Sequence, residues 1–288
     1  MRPKKRLSVF LALLTLSLAA SAAGGETEVL GPGSYWRWHV TMRPPLIEDG
    51  GETRPLKRAY VNYHHYGDRL ESPPPPAGWE KPDFDDSEWP RGRGDWMRGV
   101  VCSRWSTFAI CMRGKFAVAS PAAAGKLKVS VAYRGGVRVL VNGQEVAREN
   151  LPEGDLKPEA VARAYPAEAY IDAKGLPIPG SRAQKKLPAD VKKDLASRAA
   201  KRARSLEVEI PAKALRSGVN VLAVEVRRAN YHPSVAKWFS SAWIKKGSAW
   251  KTIDVAAVKL TAPGGGVTPN MSRAAGVQLW NHDVNDRV

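Results

Sequence analysis

Leu127–Arg148, LKVSVAYRGGVRVLVNGQEVAR, and Leu206–Arg228, LEVEIPAKALRSGVNVLAVEVRR, decide the fold. Side chains of a strand alternate between faces, so apolar residues at every second position mark a half-buried strand. Leu127, Val129, Val131 and Tyr133 follow that spacing up to Gly135-Gly136. Val137, Val139 and Val141 line the next strand, which runs into Asn142-Gly143, and Val146 opens the return strand. Asn-Gly between apolar runs is a strong hairpin signal because both residues tolerate positive φ. In the second stretch Leu206, Val208 and Ile210 alternate with Glu207 and Glu209. Pro211 to Gly218 reads as one helical turn with a glycine stop. Leu222, Val224 and Val226 then share one strand face, with Ala223 and Glu225 on the other. Many short antiparallel strands joined by turns give an all-β fold, a β-sandwich.

Working outward, Tyr35 to Met42 alternates as a first strand with Trp36 and Trp38 on one side. Tyr60 to Tyr66 reads as another short strand. Pro73 to Pro76 cannot continue a sheet and marks an exposed connection inside the domain. Ala189 to Arg204 breaks the strand pattern: Val191, Leu195 and Ala199 recur at four-residue spacing, so a basic helical insertion is expected near 189–204. Trp243 to Leu260 returns to strand patterning, with Ile253, Val255 and Val258 as core candidates. Ala262 to Gly266 is a Pro/Gly break. The expected sandwich domain is 29–261, with 262–288 a linker or the start of a following region.

Residues 1–23 carry the parts of a secretory signal: Arg2, Lys4, Lys5 and Arg6, an apolar core from Leu7 to Leu18, and Ala20-Ser21-Ala22. That core is short for a membrane span, which takes about 20 apolar residues. The expected product is exported, secreted or periplasmic, with no membrane attachment after cleavage. The formal charge is +17 over 288 residues. Much of it lies in Ser181 to Arg204, which carries Arg182, Lys185, Lys186, Lys192, Lys193, Arg198, Lys201, Arg202 and Arg204. This stretch is either a solvated helix face or a surface for an acidic polymer. No nucleic-acid motif accompanies it, and nucleic acid is not an expected partner. Cys102 and Cys111 are read two ways, as a local disulfide or as two buried thiols.

Four pieces, PDFDDSEWP (Pro82–Pro90), FAICMRGKFAV (Phe108–Val118), VRVLVNGQEVAR (Val137–Arg148) and LRSGVNVLAVEVRR (Leu215–Arg228), resemble in their order the galactose-binding-like domain superfamily. The likeness is nearest to the N-terminal sandwich modules of exported bacterial β-galactosidase-like and rhamnosidase-like glycoside hydrolases. It implies a jelly-roll β-sandwich, a glycan or polysaccharide as partner, and a catalytic region following in the same protein. It also implies the option of a structural calcium, for which Asp83, Asp85 and Asp86 offer hard oxygen ligands. The other reading of those acids is hydrogen bonding to backbone amides in a turn, with Phe84 and Trp89 packing inward.

Sugar hydrolysis needs two carboxyl groups flanking a cleft, and the sequence singles out no such pair. HExxH, GxSxG and P-loop patterns are absent. Glu225 alternates with core residues on a strand and is expected in a salt bridge. His64 and His65 point to opposite strand faces, and His39, His232 and His282 are isolated. Sugar rings stack on aromatics beside polar groups. Trp96 and Trp105 with Arg93 and Asp95 are therefore the candidate carbohydrate-binding residues; Tyr165, Tyr170, Tyr231, Trp238 and Trp243 are further ones. The expected function is a secreted, non-catalytic carbohydrate-binding or supporting module of a glycoside-hydrolase-like protein. The alternatives are a structural domain packing on a catalytic neighbour without binding sugar, and adhesion to acidic polymers through the basic insertion.

Overall fold

The computed structural model describes residues 26–56, 71–94, 106–179, 184–235, 251–264 and 266–269. Alternation in the deciding stretch yields two strands, β7 (Lys128–Arg134) and β8 (Gly136–Val141), which lie in different sheets. Gly135 is the corner between them. Its φ is +99°, and a Cβ there would stand 2.0 Å from the Arg227 carbonyl oxygen, so only glycine fits. The Asn142-Gly143 turn does close a hairpin: β9 (Gln144–Glu149) returns along β8, with a bulge between Val139 and Leu140. Asn142 takes φ 53° there.

The remaining strands are β1 (Thr27–Leu30), β2 (Tyr35–Met42), β3 (Leu46–Asp49), β4 (Glu52–Pro55), β5 (Arg91–Arg93), β6 (Thr107–Val118), β10 (Arg204–Glu209), β11 (Gly218–Arg227), β12 (Asp254–Ala262) and β13 (Val267–Pro269). One sheet has the order β1-β12-β7-β10. The other, seven-stranded, runs β5-β2-β6-β11-β8-β9, with β13 also paired to β6. β3 and β4 form a separate hairpin. Every pairing of named strands is antiparallel, as expected for an all-β sandwich.

The core lies between the two sheets. Trp36, Ile110, Phe116, Val139 and Val224 from one sheet meet Val131 and Leu260 from the other. Burying each such side chain is worth about 1.5–3 kcal/mol. Trp36 is buried and Trp38 packs partly buried beside it, on the side that alternation assigns them. The helix α1 (Ala189–Ala200) forms in the inserted segment and docks through Leu195. A short helical turn spans Ala212–Ala214, as the Pro211–Gly218 reading predicts.

The sandwich extends past the expected boundary at 261. Val267 is buried in the core, and Val267–Pro269 pairs with Val118–Phe116, so strand pairing resumes after the Pro/Gly break. The basic stretch also divides in a way charge alone does not reveal. Arg202 is buried with its guanidinium 5.2 Å over the Tyr170 ring, and Arg204 lies 5.1 Å over Tyr165. Arg198 pairs with Asp194 at 2.8 Å. Lys185, Lys186, Lys193 and Lys201 are the exposed cations, while Arg182 lies outside the described residues, as do residues 1–23, Tyr60–Tyr66 and Trp243–Trp250. Among the described residues, no helix is long and apolar enough to cross a membrane.

Candidate functional site at the edge of the seven-stranded sheet

Along β2 the alternation that turns Trp36 into the core turns Tyr35, Arg37 and His39 to the outer face. β5 pairs with β2 so that Tyr35 faces Arg93 and Arg37 faces Arg91. Directly opposed residues project to the same side, which places three guanidinium-bearing residues and one phenol ring on one outer face. Gly92, opposite Trp36, occupies the core side. The Arg91 guanidinium lies 4.9 Å from the Tyr35 ring centroid. Arg93 Nη2 lies 3.9 Å from where a Cβ on Gly33 would stand, in the turn leading into β2. Tyr35 is 54 % exposed, the one exposed large aromatic among the described residues.

Arg93 is thus a described member of the expected carbohydrate-binding set, at the exposed sheet margin. Asp95, Trp96 and Trp105 lie outside the described residues. Tyr35 was not among the sequence candidates, although alternation already set it opposite the buried Trp36. Chemically, an exposed phenol ring can receive the apolar CH face of a sugar, and guanidinium groups beside it can donate several hydrogen bonds to its oxygens.

The other aromatic candidates do different work. Tyr165, Tyr170 and Tyr231 are each at most 4 % exposed and form a second small core with Ile47, Leu56 and Leu151. They are packing residues, not a sugar platform. The Tyr165 hydroxyl accepts from Gly135 N at 2.6 Å and donates to the Arg202 carbonyl at 3.1 Å, tying the inserted segment to the sheet corner. Burial raises the Tyr170 phenol far above its usual range and lowers Arg202 to about 10, which leaves Arg202 protonated at neutral pH. Trp238 and Trp243 lie outside the described residues.

The acid-rich turn is clamped to the sheet through Asp86. Asp83 and Asp85 are exposed, whereas Asp86 is buried and turned toward the sheet. Asp86 accepts from Arg113 Nε at 2.8 Å and meets Lys115 Nζ at 3.3 Å. Asp85 Oδ1 accepts from Ser87 N at 2.9 Å, and that hydrogen bond holds its carboxyl below the usual range. Of the three acids expected to offer calcium ligands, Asp86 is engaged by Arg113 and Lys115, while Asp83 and Asp85 stay exposed. No group of three His, Cys, Asp or Glu residues able to hold a metal occurs among the described residues.

Arg113 is buried. Besides Asp86 it donates to the carbonyls of Trp79, Lys81 and Phe84, the latter two at 3.0 and 3.4 Å. Arg37 donates to the carbonyls of Trp89 and Ser87 at 2.6 and 3.1 Å. Trp79, Phe84 and Trp89 pack on Cys111, Leu140 and Val221, covering the outer face of the sheet. His39 sits 5.2 Å from the Trp89 ring with Nε2 at 3.1 Å from the Pro73 carbonyl, and burial lowers its pKa. Cys111 is a free, buried thiol whose pKa burial pushes well up; Cys102 lies outside the described residues. Glu225, buried, meets Arg138 at 2.7 Å across the strand pair and Arg227 at 2.6 Å, the salt bridge expected of it.

No protein-family model matches the chain, and no curated protein matches it in sequence. Among solved structures it is similar to a β-glycosidase from Bacteroides vulgatus, over 81 % of this chain and 20 % of that one, at 13 % identity and a TM-score of 0.32. It is similar to a Bifidobacterium dentium β-glucuronidase over 80 % of this chain and 29 % of that one, at 13 % identity and a TM-score of 0.34. A β-D-mannosidase from Dictyoglomus thermophilum aligns over 82 % of this chain and 23 % of its own, at 11 % identity and a TM-score of 0.29. The chain spans less than a third of the length of each of these three proteins.

Proposed function

We propose that the chain is an exported, non-catalytic β-sandwich module of a carbohydrate-active protein, and that it binds glycan at the β5–β2 edge. The observation that carries this reading is exposed Tyr35 on the outer sheet face, paired with Arg93 and with the Arg91 guanidinium against its ring. A shallow site of this kind binds by stacking and hydrogen bonding and needs no covalent step. The resemblance of Pro82–Pro90, Phe108–Val118, Val137–Arg148 and Leu215–Arg228 to sandwich modules of glycoside hydrolases supports the sugar as ligand. Trp96, Trp105 and Asp95 follow Arg93 closely in sequence and belong to the same reading. The test is a glycan-array screen of the chain beside its Tyr35→Ala variant. Selective binding that Tyr35→Ala abolishes is the expected result. A folded chain that binds nothing would favour a structural module packing on a catalytic neighbour.

A further inference from the structure

We infer that the outer face of the four-stranded sheet is where two copies of this chain pair about a twofold axis. On β7 the core takes Val129, Val131 and Tyr133, so Ser130 and Ala132 lie on the outer face. The register sets Glu207 of β10 and Lys259 of β12 on either side of Ser130. It sets Ser205 and Ala257 on either side of Ala132. Directly opposed residues share a face, so short side chains form the middle, with an acid at one flank and a lysine at the other. Glu207 and Lys259 are both exposed. Beyond them Lys128 pairs with Glu26 at 2.8 Å and Lys126 with Glu209 at 3.2 Å.

The chain carries 45 lysines and arginines against 28 acids, so copies repel one another over much of their surface. On this face Lys126, Lys128 and Lys259 are matched by Glu209, Glu26 and Glu207. Stack two such sheets face to face, with the axis running along β7. Rotation then carries β10 of one copy over β12 of the other. Glu207 faces the partner's Lys259, Lys259 faces the partner's Glu207, and Ser130 and Ala132 meet their own counterparts. An axis across the strands would set Glu207 against Glu207, which like charge disfavours. Stacked sheets lie about 10 Å apart, and the short central residues let the charged flanks meet. The face covers about 400 Å², from the spacing of four strands and the rise of six residues. A standard stable interface takes about 800 Å² per partner, so the dimer is weak. The β5–β2 edge belongs to the other sheet and stays open, and this pairing does not rest on the glycan-binding reading.

Sedimentation equilibrium of the full chain, over about a hundredfold range of concentration, tests the pairing. The variants are Glu207→Lys, Lys259→Glu and the double exchange Glu207→Lys/Lys259→Glu, each with a thermal melt to show that it folds. The wild type is expected in a reversible monomer–dimer equilibrium. Each single variant sets like charges together at both contacts and should weaken it roughly tenfold or more. Lys259→Glu also lowers the net charge, so diffuse repulsion alone would make that variant associate more tightly. The double exchange, and an equimolar mixture of the two single variants, face opposite charges at both contacts again and should recover wild-type association. A wild type monomeric throughout would overturn the proposal. A dimer that no variant weakens would overturn this face as its seat. Single variants that mixing does not rescue would overturn the twofold pairing.

Discussion

The Nε of Arg113, buried on β6, donates to Asp86 Oδ2 at 2.8 Å, and this contact fastens the 79–89 turn to the sheet. A buried guanidinium is tolerable only when its donors are used. Here the turn supplies three carbonyls and one carboxylate to do so.

Removing one partner leaves a charge buried without its counterpart. Asp86→Ala and Arg113→Met should each lower unfolding stability by about 3 kcal/mol. Chemical denaturation checks this. The double variant should lose less than the sum of the singles, because the unpaired charge is then gone. Additive losses would mean that the two residues act independently.

Asn142 has two separable roles. Its positive φ closes the β8–β9 hairpin, and its amide bridges to the β11 turn. Nδ2 donates to the Ala214 carbonyl at 2.8 Å, and Oδ1 accepts from Val221 N at 2.9 Å. Asn142→Gly keeps the backbone conformation and loses the amide, so it should cost about 1–2 kcal/mol. Asn142→Ala adds backbone strain and should cost about 1 kcal/mol more. Equal melting temperatures for the two variants would show that the conformation contributes nothing.

His39 gives a pH signature. Its pKa is lowered on folding because burial disfavours the charged ring, and the Pro73 carbonyl only partly offsets this. Above the unfolded value of about 6.5 both states are neutral and its cost is zero. As pH falls below that value the unfolded state takes up the proton first, so stability falls between 6.5 and the lower folded value. Denaturation midpoints at pH 7.5 and 5.5 should differ more for the wild type than for His39→Gln. An identical pH dependence would exclude this histidine as the source.

Gly135 should tolerate no side chain. Gly135→Ala drives a Cβ into the Arg227 carbonyl at a corner where φ is +99°. A loss of several kcal/mol, or failure to fold, is expected in a thermal melt. Wild-type melting would contradict the corner geometry.

Strand identity was legible in particular residues. Val129, Val131 and Val139 announced their faces by spacing, and Asn142-Gly143 announced its hairpin. The same spacing could not reveal that β7 and β8 part into different sheets at Gly135, because that depends on how close the distant Arg227 backbone comes. Charge was the least legible property. Arg202 reads in sequence as one cation of a basic stretch, yet it is buried and held by a backbone carbonyl, as are Arg113 and Arg228. Backbone acceptors leave no compositional trace. Tyr35 was legible and overlooked: being one residue from Trp36 put it on the outer face, but its pairing with Arg93 required the register of β5 on β2.

The central claim is that exposed Tyr35 on the β5–β2 edge receives a sugar ring. The most direct measurement is calorimetric titration of the tightest array-selected glycan into the wild type and Tyr35→Ala, with thermal melts of both. The account predicts roughly tenfold or greater loss of affinity with an unchanged melting temperature. Equal affinity of the two folded proteins would contradict it.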